Sequence, residues 1–266
     1  MSPAAVRRAA GPAHDEGALP LVLLHAFPLD SRMWDAAGAL VPGPRPVYAV
    51  DLPGSPGHTD ALPAVPSLDA CADLVAAALG EAGIVRAVVA GLSMGGYVAL
   101  ALLERHPTLV AGLSLVDTKS VADTPAAAAS RLARAGRLEE SGTVDEVLPD
   151  VDTLLGETSR AARRDVRDEV LGWIREQAPA GLAWSQRAMA ARPDRTAVLH
   201  AFPGPVTVVV GDEDTVTPVA AAEHMSLAAG GAPLVVVRGA GHLSAVEDPA
   251  AVAAALADLA QRTDAS

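Results

Sequence analysis

Residues 85–100 read VRAVVAGLSMGGYVAL, and this run combines two structural patterns. Its first part is apolar and β-branched, as in a strand covered on both faces, whereas small and aliphatic residues follow Ser93 at helical spacing. We therefore predict a strand, a one-residue turn at Ser93 and a helix. Gly91 and Gly95 supply positions without side chains where the strand and the helix would otherwise collide.

A serine in such a turn has a strained backbone that lifts its hydroxyl clear of the sheet, which is the context of a nucleophile elbow. A glycine-rich turn with an incidental serine is the competing interpretation. Asp214 and His242 favour the nucleophile elbow, because each follows a predicted strand and the chain order is serine, acid, histidine. The ends of parallel strands meet at one edge of a sheet, so we expect Ser93, Asp214 and His242 to lie together.

These three residue types suit nucleophilic catalysis. A serine hydroxyl is a weak nucleophile until an imidazole takes its proton, and the imidazole needs a carboxylate that fixes its tautomer and stabilises its charged form. We predict that Ser93 is the nucleophile, that His242 acts as base and then as acid, and that Asp214 orients His242.

The order of predicted elements indicates an α/β fold with a doubly wound, mostly parallel sheet, because strand-like and helical runs alternate. The predicted core comprises residues 19–118 and 201–266. Residues 119–200 show helical periodicity only, with helices expected at 125–138, 143–148, 159–178 and 180–191. Residues 1–18 are rich in Ala, Pro, Gly and Arg without any alternating pattern, so we expect a loose start.

Composition restricts the class of partner. The chain has 266 residues, half of them apolar, and a net charge of −12, which disfavours binding to nucleic acid or to an anionic membrane. No apolar run approaches the length of about 18 residues needed to span a bilayer, and the single cysteine, Cys71, fits a reducing compartment. We expect a soluble cytoplasmic protein. No metal-ligand spacing, dinucleotide-binding motif or P-loop occurs, so neither a metal nor a cofactor is expected.

Five short motifs together resemble the α/β-hydrolase fold family. They are, in chain order, His25-Ala26-Phe27-Pro28, Asp51-Leu52-Pro53-Gly54, Gly91-Leu92-Ser93-Met94-Gly95-Gly96, Gly211-Asp212-Glu213-Asp214 and Gly239-Ala240-Gly241-His242. Within this fold the chain is most similar to small esterases, enol-lactone hydrolases and cofactor-free haloperoxidase or perhydrolase-type serine hydrolases. The resemblance implies that residues 119–200 are a helical cap inserted after the sixth strand of the fold. Relatives usually open with an antiparallel hairpin, which is not evident here.

The resemblance also assigns roles to single residues. It implies an oxyanion hole formed by the backbone N–H groups of Phe27 and Met94, which would stabilise the charge that develops on a substrate carbonyl. His25 is expected to hold its loop rather than to act as a base. The family pattern favours the last carboxylate of its turn, Asp214, as the acid. Three other carboxylates compete for that role: Asp212, Glu213 and, because some members place the acid after the preceding strand, Asp117.

Large side chains of the predicted cap are candidates for an acyl pocket. They are Trp173, Ile174, Trp184 and Met189, and each of them could instead pack the cap against the core.

The leading functional hypothesis is a serine hydrolase that cleaves a small carboxylic ester, thioester or lactone through an acyl-enzyme. The same triad could instead serve perhydrolysis, as in a haloperoxidase, or acyl transfer to another acceptor, and Phe27-Pro28 in the oxyanion loop resembles the perhydrolase group. A ligand receptor without catalysis is the third hypothesis. In each case the partner is a small molecule.

Overall fold

The computed structural model of the protein describes residues 4–11, 18–60 and 62–266. Its strands form one sheet in the order β1-β3-β2-β4-β5-β6-β7, in which β1 is antiparallel to β3 and all other pairs are parallel. The strands are β1 (Ala5–Ala10), β2 (Leu21–Leu24), β3 (Val47–Asp51), β4 (Ala87–Leu92), β5 (Val110–Val116), β6 (Val206–Gly211) and β7 (Leu234–Val237). The predicted doubly wound, mostly parallel sheet is confirmed.

Helices connect the strands. They are α1 (Asp35–Leu40), α2 (Leu68–Glu81), α3 (Met94–Arg105), α4 (Pro125–Ser141), α5 (Val151–Leu154), α6 (Glu157–Ala162), α7 (Arg164–Arg175), α8 (Pro179–Ala190), α9 (Thr196–Ala201), α10 (Val219–Ala228), α11 (Ser244–Glu247) and α12 (Pro249–Asp264). Short 3₁₀ helices cover Ser31–Trp34 and Leu148–Asp150. Among the described residues, no helix combines the length and apolar character needed to cross a membrane.

The start of the chain corrects one expectation. Residues 5–10 are not loose but form β1, which pairs with β3 in a register that runs from Ala5 opposite Asp51 to Ala10 opposite Val47. An edge strand is paired on one side only, and most side chains of β1 are half-buried, so its sequence lacks the continuous apolar run of a strand covered on both faces. Residues 1–3 and 12–17 lie outside the described residues.

The core of the sheet is built from aliphatic side chains. All residues of β4, β5 and β6 are buried, as expected for parallel strands that are covered on both faces. α3 and α12 both pack on β4 and β5, and α12 buries Val252, Leu256 and Leu259, as its periodicity predicts. This rigid frame ends at one edge in the loops that carry the predicted site residues.

A wholly helical segment separates β5 from β6, in agreement with the pattern of residues 119–200. Residues 143–148 correct a detail, because residues 143–147 form bends and turns rather than the expected helix, and Leu148 begins a 3₁₀ helix. Gly142, at φ 64°, ends α4 in the left-handed conformation, and Pro149 follows in a 3₁₀ helix. The segment follows β5, the fifth strand along the described residues. The insertion of a cap after the sixth strand of the fold stays a prediction.

Candidate active site

Ser93 occupies a sharp turn between β4 and α3, as the sequence predicts. Its backbone has φ 53° and ψ −111°, a conformation that a residue with a side chain rarely adopts. The Ser93 N–H donates to the Val116 carbonyl at 3.0 Å, and the Ser93 carbonyl accepts from the Thr118 hydroxyl at 2.8 Å. The end of β5 and the loop that follows it therefore fix both sides of the strained residue.

Two glycines make this turn possible. A Cβ atom at Gly91 would lie 2.2 Å from the Gly95 carbonyl oxygen, and one at Gly95 would lie 2.1 Å from the Leu24 carbonyl oxygen. Both distances are far below van der Waals contact. The strand and the helix can meet here only because neither position carries a side chain, which is the role that the sequence predicts.

The three predicted residues form one chain of hydrogen bonds. His242 Nε2 lies 2.8 Å from Ser93 Oγ, and His242 Nδ1 lies 2.8 Å from Asp214 Oδ2. The His242 side chain is 1% exposed, so water does not compete for its ring nitrogens. Each residue lies just past the end of its strand, β4, β6 or β7, which explains how positions far apart in sequence converge.

The environment of Asp214 keeps it charged. Burial by itself would raise the pKa of Asp214, but the hydrogen bond and charge of His242, together with the bonds from Thr217, hold that pKa below its ordinary value. Its Oδ1 accepts from the N–H groups of Val216 and Thr217 at 2.8 and 2.9 Å, and its Oδ2 accepts from the Thr217 hydroxyl at 2.7 Å. The carboxylate is thus fixed in place as well as ionised.

Thr217 is a supporting residue that sequence reasoning missed. The sequence suggests that Thr217 caps the next helix, but its hydroxyl binds Asp214 and lies 3.2 Å from His242 Nδ1, and α10 begins without a side-chain cap. A hydroxyl residue three positions after the acid, in a turn, is the only signal for this contact in the sequence.

The competing carboxylates have other partners. Asp212 accepts from the Gly239 N–H at 2.7 Å, and Glu213 accepts from the N–H and hydroxyl of Thr158 at 2.8 and 2.6 Å. Within the described part of the chain, no hydrogen bond joins either carboxylate to His242. The geometry therefore favours Asp214 for the acid position.

Asp117 lies beneath the site and connects two of its loops. One oxygen accepts from the Gly211 N–H at 2.9 Å, and the other accepts from the N–H and hydroxyl of Ser244 at 3.0 and 2.6 Å. Its backbone has φ 43°, and it is fully buried. Burial, followed by the charge of Asp214, raises the pKa of Asp117 to about 7. Asp117 braces the loops that carry Asp214 and His242, rather than taking the place of Asp214.

We expect Asp117→Asn to change how stability depends on pH. A pKa raised from 3.8 to about 7 means that the folded state binds the Asp117 proton more tightly than the unfolded state. This stabilisation is complete below pH 4 and is lost as the pH rises through 7, by at most about 1.4 kcal/mol per pH unit. The free energy of unfolding, measured with urea between pH 4 and 8, should show this loss of stability in the wild type but not in Asp117→Asn.

Asp168→Asn, at an exposed position, is the control and should keep the wild-type slope. An Asp117→Asn variant with the wild-type slope would contradict the expectation.

Phe27 and Met94 place backbone N–H groups beside the serine turn. Both residues are buried and border the same small cavity, together with His25 and Pro28. None of the hydrogen bonds between described residues uses the N–H of Phe27 or of Met94. Two donors without a protein partner therefore remain for a ligand, as the expected oxyanion hole requires.

His25 holds the loop that carries Phe27, as expected. Its Nδ1 lies 2.9 Å from the Ala26 carbonyl oxygen, and its Nε2 accepts from the Leu52 N–H at 3.0 Å and lies 3.0 Å from Ser55 Oγ. Burial lowers the pKa of His25, so the ring is neutral and both nitrogens serve the loop.

A cavity of about 190 Å³ opens beside Ser93 and His242. Its other lining residues are Phe27, Tyr97, Arg131, Arg134, Asp150, Thr153, Leu154, Gln186, Met189 and Val216. A larger cavity of about 610 Å³, bordered by Val110 and Phe202, includes no residue of the hydrogen-bonded chain. The smaller cavity is the one that a reacting molecule would occupy.

Only one of the predicted pocket residues borders this cavity. Met189 does, but Trp173, Ile174 and Trp184 do not. The indole of Trp184 donates to the Pro63 carbonyl at 2.8 Å, and Ile174 is fully buried in the core. Large apolar residues of these helices pack the segment onto the core. The prediction from sequence did not include the polar residues that line the cavity in their place.

The chain belongs to the alpha/beta hydrolase family, whose model matches residues 21–255. The resemblance expected from the five motifs is confirmed.

Among related proteins, an esterase of Thermogutta terrifontis, solved with malate bound, has a TM-score of 0.90 at 31% identity and covers 98% of this chain and 94% of its own. The 2-succinyl-6-hydroxy-2,4-cyclohexadiene-1-carboxylate synthase of Enterobacter sp. (strain 638) is 33% identical over 249 residues, which are 90% of either chain. The pimeloyl-[acyl-carrier protein] methyl ester esterase of Aromatoleum aromaticum is 39% identical over 98 residues, 37% of this chain and 36% of its own.

Proposed function

We propose that the protein is a serine hydrolase that cleaves a small carboxylic ester, thioester or lactone through an acyl-enzyme. The carrying observation is the unbroken hydrogen-bonded chain from Ser93 through His242 to Asp214, with 2.8 Å at each step. The esterase relatives support the class of reaction.

In the first half-reaction His242 Nε2 takes the Ser93 proton while Oγ attacks the substrate carbonyl carbon. The resulting imidazolium donates two hydrogen bonds, from Nε2–H toward the reacting oxygens and from Nδ1–H to the Asp214 carboxylate, which stays ionised. When the bond to the leaving group breaks, His242 returns the proton to that group. Water then repeats the sequence on the acyl-enzyme, which releases the acid and restores the Ser93 hydroxyl.

The N–H groups of Phe27 and Met94 would receive the oxyanion of each tetrahedral intermediate. Fixed donors in a buried site stabilise a developing charge more than a neutral carbonyl, and this difference lowers the barrier. Removal of a single such donor typically costs on the order of 10²-fold to 10³-fold in turnover.

The helical segment acts as a cap over this site. Leu154 supplies a cavity wall, and its carbonyl accepts from the His242 N–H at 2.9 Å. The carboxylate of Glu247 accepts from the Gly156 N–H in the segment and from the Gly241 N–H beside His242, at 2.8 Å each. These contacts tie the cap to the histidine loop.

Labelling with a fluorophosphonate tests the proposal. This reagent phosphonylates only an activated serine, so we expect one adduct per chain, located at Ser93 by peptide mapping, and none after heat denaturation. His242→Ala should abolish the adduct. The control is Ser120→Ala, because the buried Ser120 hydroxyl bonds to Thr196 and not to His242, and this variant should keep the adduct. Adducts on other serines, or none, would contradict the acyl-enzyme mechanism.

The perhydrolase and receptor hypotheses predict different results for the same protein preparation. A perhydrolase would form peracid from hydrogen peroxide and a short carboxylic acid, and a receptor would bind a ligand without labelling.

A further inference from the structure

The cavity beside Ser93 contains more charge than an acyl pocket for a neutral ester requires. Apolar side chains such as Phe27, Met189 and Val216 line part of it, whereas Arg131 and Arg134 line another part. Small-molecule sites are mostly apolar, and the few polar groups in them set orientation and specificity. Two guanidinium groups in this position, in a chain of net charge −12, therefore call for a ligand-based explanation.

Next to the cavity, several positively charged side chains share a single carboxylate. Asp123, with a side chain that is 1% exposed, is contacted by Arg131 and Arg192 at 2.7 Å and by Lys119 at 3.3 Å. Three cations thus share one carboxylate. Burial and the charge of Arg192 lower the pKa of Lys119, as expected where positive charge is in excess.

Arg134 has a carboxylate of its own, in contrast to Arg131, although its Nε is buried without a hydrogen-bond partner among the described residues. Its Nη2 donates to Asp150 at 2.6 Å and to the Glu146 carbonyl at 2.7 Å, so the Asp150 carboxylate in the cavity is paired. Arg131 uses Nε for Asp123 and Nη1 for Gln186 at 3.2 Å. No hydrogen bond within residues 18–60 and 62–266 uses Nη2 of Arg131, which leaves a charged donor at the cavity wall.

From these contacts we propose that the substrate is an ester bearing a carboxylate a short distance from the scissile carbonyl, and that Arg131 binds this carboxylate. The proposal rests on the hydrolase function proposed above. A guanidinium matches the planar geometry of a carboxylate and forms stronger hydrogen bonds to it than to a neutral group. The cavity volume of about 190 Å³ suits half-esters of short dicarboxylic acids.

Paired substrates test the charge preference. Monomethyl succinate carries the carboxylate, and methyl levulinate is a neutral analogue of nearly the same shape. A hydrogen bond to a charged group typically stabilises by about 1.5–3 kcal/mol, which corresponds to about tenfold or more. We therefore expect kcat/KM of the wild type to favour monomethyl succinate by about tenfold or more.

Arg131→Gln should remove this preference, because kcat/KM for monomethyl succinate should fall by about tenfold or more relative to kcat/KM for methyl levulinate. The variant should fold, because Asp123 keeps Arg192 and Lys119 as partners. The matched control is Arg137→Gln, which should behave as wild type. Arg137 belongs to the same helix, is paired with Glu146 and lies outside the cavity. Equal rates for the two esters in the wild type, or equal losses for both in Arg131→Gln, would overturn the inference.

A binding measurement separates this inference from the proposed chemistry. Calorimetry with monomethyl succinate on Ser93→Ala, and on Ser93→Ala combined with Arg131→Gln, requires no turnover. We expect binding to the first and at least about tenfold weaker binding to the second. If the wild type neither hydrolyses esters nor reacts with fluorophosphonate, the proposed function fails, and this comparison still decides the Arg131 site: equal affinities, or no binding to Ser93→Ala, would refute it.

Discussion

Ser93→Ala is expected to lower turnover of a short p-nitrophenyl ester by on the order of 10⁶-fold, as loss of the nucleophile does in triad enzymes. The expectation follows from the contacts of Ser93 Oγ, which His242 Nε2 approaches at 2.8 Å and which borders the cavity. Without the hydroxyl, His242 has no nucleophile in place, and any residual rate comes from water. Initial rates at saturating ester, with matched protein concentrations, provide the measurement.

The variant should fold like the wild type, because the turn is fixed by backbone atoms of Ser93 and by the hydroxyl of Thr118, all of which the substitution keeps. Thermal unfolding checks this point. Ser120→Ala removes a serine hydroxyl remote from His242 and should keep full turnover. Substantial activity in a folded Ser93→Ala protein would exclude the acyl-enzyme mechanism.

Asp214→Asn is expected to lower turnover by roughly 10⁴-fold, because an amide in this position favours the wrong tautomer of His242. The Asp214 carboxylate accepts from His242 Nδ1 at 2.8 Å, which leaves Nε2 free to take the Ser93 proton. An amide N–H at this position would turn Nδ1 into the acceptor and place a proton on Nε2. Steady-state kinetics at neutral pH measure the effect.

Asp212→Asn is the matched control, because Asp212 belongs to the same turn and its carboxylate binds the Gly239 N–H instead of the imidazole. We expect its turnover to stay near that of the wild type. If Asp212→Asn or Glu213→Gln loses more activity than Asp214→Asn, the acid role belongs to the more sensitive position.

Local patterns allowed much of the fold and of the candidate site to be predicted. A β-branched run followed by Gly-x-Ser-x-Gly encodes the strand, the turn and the helix within 16 residues, because each step depends on neighbours in sequence. Ser67 directly precedes α2, a position where serine commonly caps a helix, and its hydroxyl accepts from the N–H groups of Asp69 and Ala70 at 3.1 and 3.3 Å. Such short-range interactions can be recognised in one chain.

Contacts between distant segments were not predictable in the same way. β1 depends on pairing with β3, and the sequence of an edge strand carries little periodicity. The cavity-lining positions of Arg131 and Gln186 depend on how α4 packs against α8. Helix periodicity identifies which face is apolar, but it does not reveal which polar residues of two packed helices will border the same space.

The hydrogen bond from the His242 N–H to the Leu154 carbonyl, and the bonds of Glu247 to both Gly156 and Gly241, have a consequence for protein engineering. The helical segment is not a module that can be exchanged at its sequence junctions with β5 and β6 alone. A chimera that imports a foreign segment must retain the backbone of residues 154–156, or the loop that carries His242 will lose these hydrogen bonds.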